Sequence, residues 1–165
     1  MNTWVKRIIL LAALAALGYW GWSLFFVSPE KAIRKRLEAL AQQASFGPNQ
    51  GLMSEAWKAT SLSAFFTTNV QVTIDVPGSP HNINGLDELN AAALYARHTF
   101  RSLTIELPDI KVTVEPGGES AIVNLTARGK LANQKDDYLQ ELRLRLIKVK
   151  RDWLIKEIVT VRTLS

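Results

Sequence analysis

Hydrophobic residues recur with three different spacings along this chain, and each spacing predicts a different kind of element. The first is a continuous run of 20 uncharged residues from Ile8 to Val27, with Lys6 and Arg7 before it. A hydrocarbon core of roughly 30 Å needs about 20 apolar residues in a helix. Because the run is apolar on every helical face, it predicts a single transmembrane helix rather than a buried core helix.

A cleaved secretory signal is the alternative to an anchor. Signal cores usually span about 7 to 15 residues and end at a small-x-small site. Here Ala13-Leu14-Ala15 lies inside the run, and the aromatic residues between Tyr19 and Trp22 suit the headgroup level of a membrane. We therefore expect residues 1–28 to be a tail and an uncleaved anchor, and residues 29–165 to fold as one domain.

The charges that flank the run leave its orientation open. Lys6 and Arg7 precede it, and four basic residues lie between Lys31 and Arg36, so the count of basic residues favours neither side. The basic residues from Lys31 to Arg36 could bind an anionic membrane leaflet or form an ordinary solvated helix face. The chain has no cysteine, which excludes disulfides and thiol chemistry but does not decide the compartment.

The second spacing, with a period near 3.6 residues, predicts two amphipathic helices. Ser28 can cap the first, Pro29 suits its first turn, and it stops near Gly47. The second begins after Gly85 and runs to about His98. Their apolar faces are Ile33, Leu37, Leu40, Ala41 and Ala44 in the first helix, and Leu86, Leu89, Ala92, Ala93 and Ala96 in the second.

The third spacing, with a period of two, predicts strands. A short helix over Ser61 to Phe66 leads into a strand in which Val70, Val72 and Ile74 alternate with polar residues. Pro77 to Pro80 then predicts a loop.

Four long strands are predicted after Arg101, because alternation continues almost to the end of the chain. In the third of them we expect the apolar face to pass from Leu146 to Ile147 and Val149. Helices followed by a meander with one apolar face indicate an α+β fold in which a curved antiparallel sheet wraps around the helices. The expected breaks are a bulge at Pro108-Asp109 and turns at Pro116-Gly117-Gly118, at Asn133 to Asp137 and at Lys150-Arg151-Asp152.

Two segments carry a resemblance to a known group. Ala64 to Asp75 and Asn84 to Leu89, between an opening helix and a closing meander, resemble the nuclear transport factor 2-like superfamily, which includes SnoaL-like and ketosteroid isomerase domains. The resemblance implies a cone-shaped α+β domain with a pocket between sheet and helices. The superfamily includes isomerases, hydrolases, transport adaptors and non-catalytic subunits. Membrane-anchored members of this type imply a domain on the periplasmic side of a bacterial inner membrane.

The resemblance also suggests a catalytic candidate. Isomerase-like members have a general base near the end of the first strand, and Asp75 holds that place here. Those members tend to have proline directly after the acid, whereas Val76 intervenes before Pro77. They also need a group that stabilises the oxyanion, often a tyrosine of the first helix, and no tyrosine lies between Tyr19 and Tyr95. Asp75 could equally be a strand-end residue.

Three further residues could line the pocket. Tyr95 and His98 are three residues apart and could share one helix face, although solvation of the helix end would also suit His98. Glu157 has the same parity as Ile155, so it faces inward unless a register slip turns it to solvent. His81 and His98 lack the ligand spacing of a metal site, so we expect neither a metal nor a cofactor.

Charge is concentrated in the last 46 residues, which hold 10 Lys and Arg against 5 Asp and Glu. An exposed sheet face with this charge could contact a protein subunit or a second copy, ahead of an anionic lipid surface. Nucleic acid is not expected, because no aromatics are interleaved with the basic residues. Solubility and edge protection are the simpler interpretation. The basic residues are Arg128, Lys130, Arg143, Arg145, Lys148, Lys150, Lys156 and Arg162.

The sequence therefore predicts a single-pass membrane protein whose domain binds a protein partner or a small apolar ligand at the cell envelope, without catalysis. The alternative is a membrane-tethered isomerase or hydrolase that uses Asp75.

Overall fold

One mixed sheet and three helices make up the described part of the chain. The computed structural model describes residues 3–25, 28–48, 61–76, 79–132 and 134–161. The helices are α1 (Thr3–Phe25), α2 (Pro29–Ala44) and α3 (Gly85–Thr99), with a 3-10 helix at Ser63–Phe65. The strands are β1 (Phe66–Val76), β2 (Ser79–Asn84), β3 (Leu103–Val114), β4 (Ser120–Leu131), β5 (Tyr138–Val149) and β6 (Asp152–Thr160).

The strands lie in the order β2-β1-β6-β5-β4-β3. The antiparallel meander β3 to β6 is confirmed. The expectation of a purely antiparallel sheet is wrong, because β1 pairs with β6 in parallel. Alternation reveals that a segment is a strand, but it carries no information about the direction of a partner far away in the sequence. The α+β class stands, with a curved mixed sheet.

The edge strand β2 occupies part of the segment predicted as a loop. Ser79 to Asn84 pairs antiparallel with β1, from Val76 opposite Ser79 to Gln71 opposite Asn84. Pro80 lacks an N–H group, which an edge strand tolerates. Pro77 and Gly78 lie outside the described residues.

The first strand also begins earlier than predicted. In the segment predicted as a helix over Ser61 to Phe66, Ser61 and Leu62 are α-helical and the 3-10 helix follows, but Phe66 already belongs to β1.

The predicted amphipathic helix after Ser28 is confirmed as α2. The Ser28 side chain accepts a hydrogen bond from the Lys31 N–H at 3.4 Å, and proline occupies the first turn. Ile33, Leu37 and Ala41 are buried against the sheet. The start of α3 is confirmed as well, since the Asn84 N–H donates to Glu88 Oε2 at 2.6 Å across the first turn.

Helix α1 contains most of the apolar run. The side chains from Ile8 to Tyr19 are exposed, with 66% of the surface of Leu11 and Leu17 accessible. Within the described residues, no helix is both long and apolar enough to cross a membrane. The transmembrane helix predicted over Ile8 to Val27 is therefore not confirmed; Phe26 and Val27 lie outside the described residues.

Two register shifts shape the meander. One lies between Glu106 and Asp109 in β3, which confirms the bulge predicted at Pro108. The other lies in β6, where Arg145 pairs with Glu157 but Leu146 pairs with Ile155. Lys156 is thus the extra residue, and the inner face continues at Ile158.

The predicted passage of the apolar face from Leu146 to Val149 within β5 is wrong. Leu146 is buried and Val149 is exposed, so β5 keeps its alternation to the end. The shift belongs to the partner strand β6. The turn before β4 is confirmed, with Gly117 and Gly118 at φ of 98° and 72°, a region that suits glycine.

Candidate functional site

An apolar cavity of about 300 Å³ lies between the C-terminal half of α2, helix α3 and the inner face of the sheet. Among the described residues, every side chain in its wall except that of Asn90 is apolar. Both helices and strands β1, β3, β4, β5 and β6 contribute to it, so the wall forms only when the sheet curves around the helices. The lining residues are Leu37, Leu40, Ala41, Ala44, Leu62, Phe66, Leu89, Asn90, Ala92, Ala93, Ile105, Leu107, Leu125, Ala127, Leu142, Leu144 and Ile158.

Small side chains explain why space remains here. Ala41 and Ala44 on α2, Ala92 and Ala93 on α3, and Ala127 on β4 face the same volume. Protein interiors normally leave few voids larger than a water molecule. Alanines from three separate elements facing each other therefore leave a volume that larger residues would fill.

Asn90 is the functional candidate that the sequence analysis missed. It lies four residues after Leu86 and three before Ala93, on the same helical face. Its Oδ1 atom is buried and has no hydrogen-bond partner among the described residues. The spacing could have revealed it, because a polar residue in register with an apolar face is the signal of a buried polar group.

Arg97 links the C-terminal part of α3 to the end of α2. Only 7% of its surface is exposed. Its Nη2 donates to the Gln43 carbonyl at 3.1 Å, and its guanidinium carbon lies 5.0 Å from the centre of the Phe46 ring. A cation at the last carbonyls of a helix also meets the negative end of the helix dipole.

The predicted acid and base residues lie away from the cavity. Val70 and Val72 of β1 are buried, so Asp75 has the opposite parity and belongs to the outer face. Its backbone N–H donates to Thr160 Oγ1 at 3.2 Å. Tyr95 is 72% exposed and His98 is exposed on α3. None of the three lines the cavity.

Glu157 also faces outward, as a consequence of the bulge in β6. Its carboxylate lies 4.0 Å from Arg145 Nε, its cross-strand neighbour. The two alternatives that the sequence left open are thereby decided in favour of the register slip.

The predicted basic face is partly neutralised by acids that alternate with it. Arg128 lies 3.5 Å from Glu106 and 3.8 Å from Asp137, and Lys130 Nζ lies 3.0 Å from Glu106. The hydrogen bond and charge of Lys130, with the charge of Arg128, hold the pKa of the Glu106 carboxyl below its usual 4.5. Exposed pairs of this kind contribute little to stability.

The other basic residues do not extend this face evenly. Arg143 Nε donates to Asn124 Oδ1 at 3.2 Å on the outer face. Lys148 pairs with Trp153 and so has the parity of the inner face, and Lys156 is the bulge residue. Lys150 is in the β5–β6 turn. Arg162 lies outside the described residues.

Two of the basic residues after α1 are engaged with the domain. Arg34 Nη2 donates to the Ile110 carbonyl at 2.8 Å, and Arg36 Nη2 donates to the Ala64 carbonyl at 2.7 Å. Arg36 also lies 3.6 Å from Asp152. The two guanidinium groups therefore help to hold α2 against the rest of the domain. Within the described residues, no group of three His, Asp or Glu side chains could hold a metal ion.

No protein family model and no curated protein matches this chain. Solved structures share its fold. An NTF2-like protein with a cystatin-like fold from Novosphingobium aromaticivorans has a TM-score of 0.62 at 15% identity, over 92% of this chain and 86% of that one. A provisionally assigned scytalone dehydratase from the same bacterium has a TM-score of 0.58 at 15% identity, over 81% and 83%. Yeast Bre5, a Ubp3-associated protein, has a TM-score of 0.61 at 13% identity, over 83% and 99%.

At these identities the likeness shows the fold alone. The described domain has the nuclear transport factor 2-like, cystatin-like α+β fold that the resemblance implied.

Proposed function

We propose that this protein is a membrane-anchored, non-catalytic binding module that takes a small apolar ligand in the cavity between α2, α3 and the sheet. The apolar wall of that cavity is the observation that carries the proposal. Ligand sites are typically concave, mostly apolar and about 300 to 1,000 Å³ in volume, with a few polar groups that fix orientation. Transfer of an apolar ligand from water to such a wall is favourable by about 25 cal/mol for each Å² removed from water.

The arrangement of acids and bases supports binding without turnover. General acid–base catalysis requires a titratable group within hydrogen-bond reach of the reacting atom. Asp75 and Glu157 lie on the outer face of the sheet, while the cavity opens on its inner face. A membrane-tethered isomerase or hydrolase that uses Asp75 would require this carboxylate on the other side of the sheet.

A matched pair of alanine variants tests the cavity. Ala93 lines it, whereas Ala91 is exposed on the same helix. The full chain in lipid nanodiscs, labelled at the alanine methyl groups, is titrated with octyl methyl ether and followed by NMR. We expect methyl groups of the wall to shift on binding, and we expect Ala93→Phe to weaken binding at least about tenfold because its ring occupies the site. Ala91→Phe should bind like the unaltered chain.

Equal binding by Ala93→Phe and Ala91→Phe would contradict the proposal, since both variants share the same background of lipid partition. Conversion of the ether or of a related ester or ketone, lost in Asp75→Asn, would favour the enzyme instead.

The proposed anchor is supported by the uncharged run Ile8 to Val27 and by the exposure of its side chains from Ile8 to Tyr19. Exposed apolar surface of this extent needs a cover, and the hydrocarbon of a membrane is the cover proposed. We place residues 29–165 on the periplasmic side of a bacterial inner membrane.

Membrane fractionation tests the anchor. The full chain should stay in the membrane fraction at alkaline pH, and Leu11→Asp with Leu14→Asp should release it. A C-terminal reporter that is active only in the periplasm should be active. Recovery of the unaltered chain in the soluble fraction would reject the anchor, and a reporter active only in the cytoplasm would reject the orientation.

A protein partner on the outer sheet face is the second candidate function. Leu139 is 61% exposed there at the start of β5, on the same face of the strand as exposed Arg143 and Arg145. Arg is common in protein interfaces. Crosslinking in native membranes should capture a partner or a second copy, and Arg143→Glu with Arg145→Glu should abolish the product. Recovery of the monomer alone would count against this surface.

A further inference from the structure

Asn90 occupies a place that disfavours an amide. It lies in the interior of α3, where asparagine is a weak helix former because its side chain competes for backbone hydrogen bonds. Its Oδ1 is buried at an otherwise apolar wall and accepts no hydrogen bond from the part of the chain that the structure describes. A buried acceptor that has lost water and gained no donor is rare in native proteins and needs an explanation.

An apolar side chain would suit the neighbours of Asn90 better. Leu86 and Leu89 pack against the core, and Ala93 lines the cavity on the next turn. Replacement of an unsatisfied polar group by an apolar group of the same shape is often neutral or stabilising. A donor that enters with a ligand explains the position of the amide, whereas packing does not.

On the basis of the binding function proposed above, we infer that the cavity ligand is an uncharged apolar molecule with one hydroxyl group, whose O–H donates to Asn90 Oδ1. A hydrocarbon would leave Oδ1 without a donor. A carboxylate would enter a wall in which the described residues provide no cation, and a buried charge without a partner is strongly disfavoured.

The cavity volume limits the size of this alcohol. A volume of about 300 Å³ equals the share of about ten molecules of liquid water, at roughly 30 Å³ each. A ligand of about ten non-hydrogen atoms therefore fills it. Medium-chain and small alicyclic alcohols fall in this range.

Two isomeric probes isolate the hydroxyl group. 1-Nonanol and octyl methyl ether contain the same atoms, but only the alcohol can donate a hydrogen bond. Both are titrated into the full chain in nanodiscs under the alanine-methyl NMR conditions above, with Ala93→Phe in parallel to subtract lipid partition. We expect the alcohol to bind about tenfold more tightly than the ether, the gain typical of one buried hydrogen bond. In Asn90→Leu the two probes should bind equally, with affinity for the ether kept or improved.

Each result decides the inference. Equal affinities in the unaltered chain would overturn it, and that comparison needs no variant to fold. A preference for the alcohol that persists in Asn90→Leu would also overturn it, as would nonanoate binding as tightly as nonanol. If the ether binds and Ala93→Phe blocks it, the proposed function stands even when the hydroxyl inference fails. If neither probe shifts the wall methyls, both fall.

Discussion

The two ends of the inner sheet face differ in how completely they are filled. At one end, large side chains close the space: Leu146 and Ile155 are 1% and 2% exposed and pack with Ile33 of α2. At the other end, the small side chains of Ala93 and Ala127 line the cavity. The same sheet and the same helix α2 serve both ends. The difference shows that side-chain volume, rather than secondary structure, decides where this fold is a core and where it is a site.

The outer face differs from both ends because charges rather than apolar contacts dominate its exposed interactions. Arg128, Lys130 and Arg145 pair with acids across the strands at 3.0 to 4.0 Å. Such exposed pairs are screened by salt and contribute little to stability. Changes on the inner face should therefore alter stability far more than changes on the outer face.

Removal of a leucine from each end should give the largest contrast. Leu146→Ala in the packed end should lower the free energy of unfolding by about 2 to 5 kcal/mol, because the neighbours cannot close the new void. Leu142 lies four residues earlier on β5, is half-buried and already faces the cavity. Leu142→Ala should cost about half as much or less. Chemical denaturation of the full chain in nanodiscs measures both, and equal losses would erase the proposed difference between the ends.

Addition of side-chain volume should also lower stability more at the packed end than at the cavity end. Ala121 is fully buried in the packed end, and Ala127 lines the cavity on the same face of β4. Ala121→Leu should be destabilising by about 1 to 3 kcal/mol through overpacking. Ala127→Leu should stay within about 1 kcal/mol of the unaltered chain, since it extends into space. Thermal unfolding compares them, and a large loss in Ala127→Leu would mean that the cavity end is closed.

The smallest effect is expected at Glu106 on the outer face. The pKa of its carboxyl is lowered in the folded state, chiefly by the hydrogen bond from Lys130. A lowered folded pKa stabilises the fold above the usual value of 4.5, and this contribution is lost as the pH falls through the lowered pKa. Glu106→Gln should therefore be slightly less stable than the unaltered chain near neutral pH, and the difference should vanish in acid.

Denaturation across pH, at low and at high salt, measures this difference. In a Lys130→Met background the effect of Glu106→Gln should shrink, because the main cause of the lowered pKa is gone. A difference that grows as the pH falls would contradict the sign of the shift.

Local patterns were sufficient for the regular elements of the domain. The cap at Ser28, the helix after Gly85, the meander and the bulge at Pro108 all follow from neighbouring residues, and all are present. The edge strand β2 was missed because its polar and proline-containing sequence lacks apolar alternation. The register slip before Glu157 remained one of two alternatives, because a single extra residue is defined only by the register of the partner strand.

The candidate site was less predictable than the fold. The resemblance implied a pocket between sheet and helices, yet it directed attention to Asp75, which lies on the outer face. Asn90 was overlooked because the burial of its Oδ1 depends on the side chains that other elements pack around it. Arg97, which fixes α3 to α2, was overlooked because basic residues near helix ends are usually solvated.

The sequence by itself determined the apolar N-terminal run, the two amphipathic helices and the period-two strands, because each depends on residues a few positions apart. Only the tertiary structure decided the parallel pairing of β1 with β6, the outward direction of Glu157 and the place of the cavity. These depend on which small and large side chains meet across the sheet from distant parts of the chain, and packing sets that when the sheet curves around the helices.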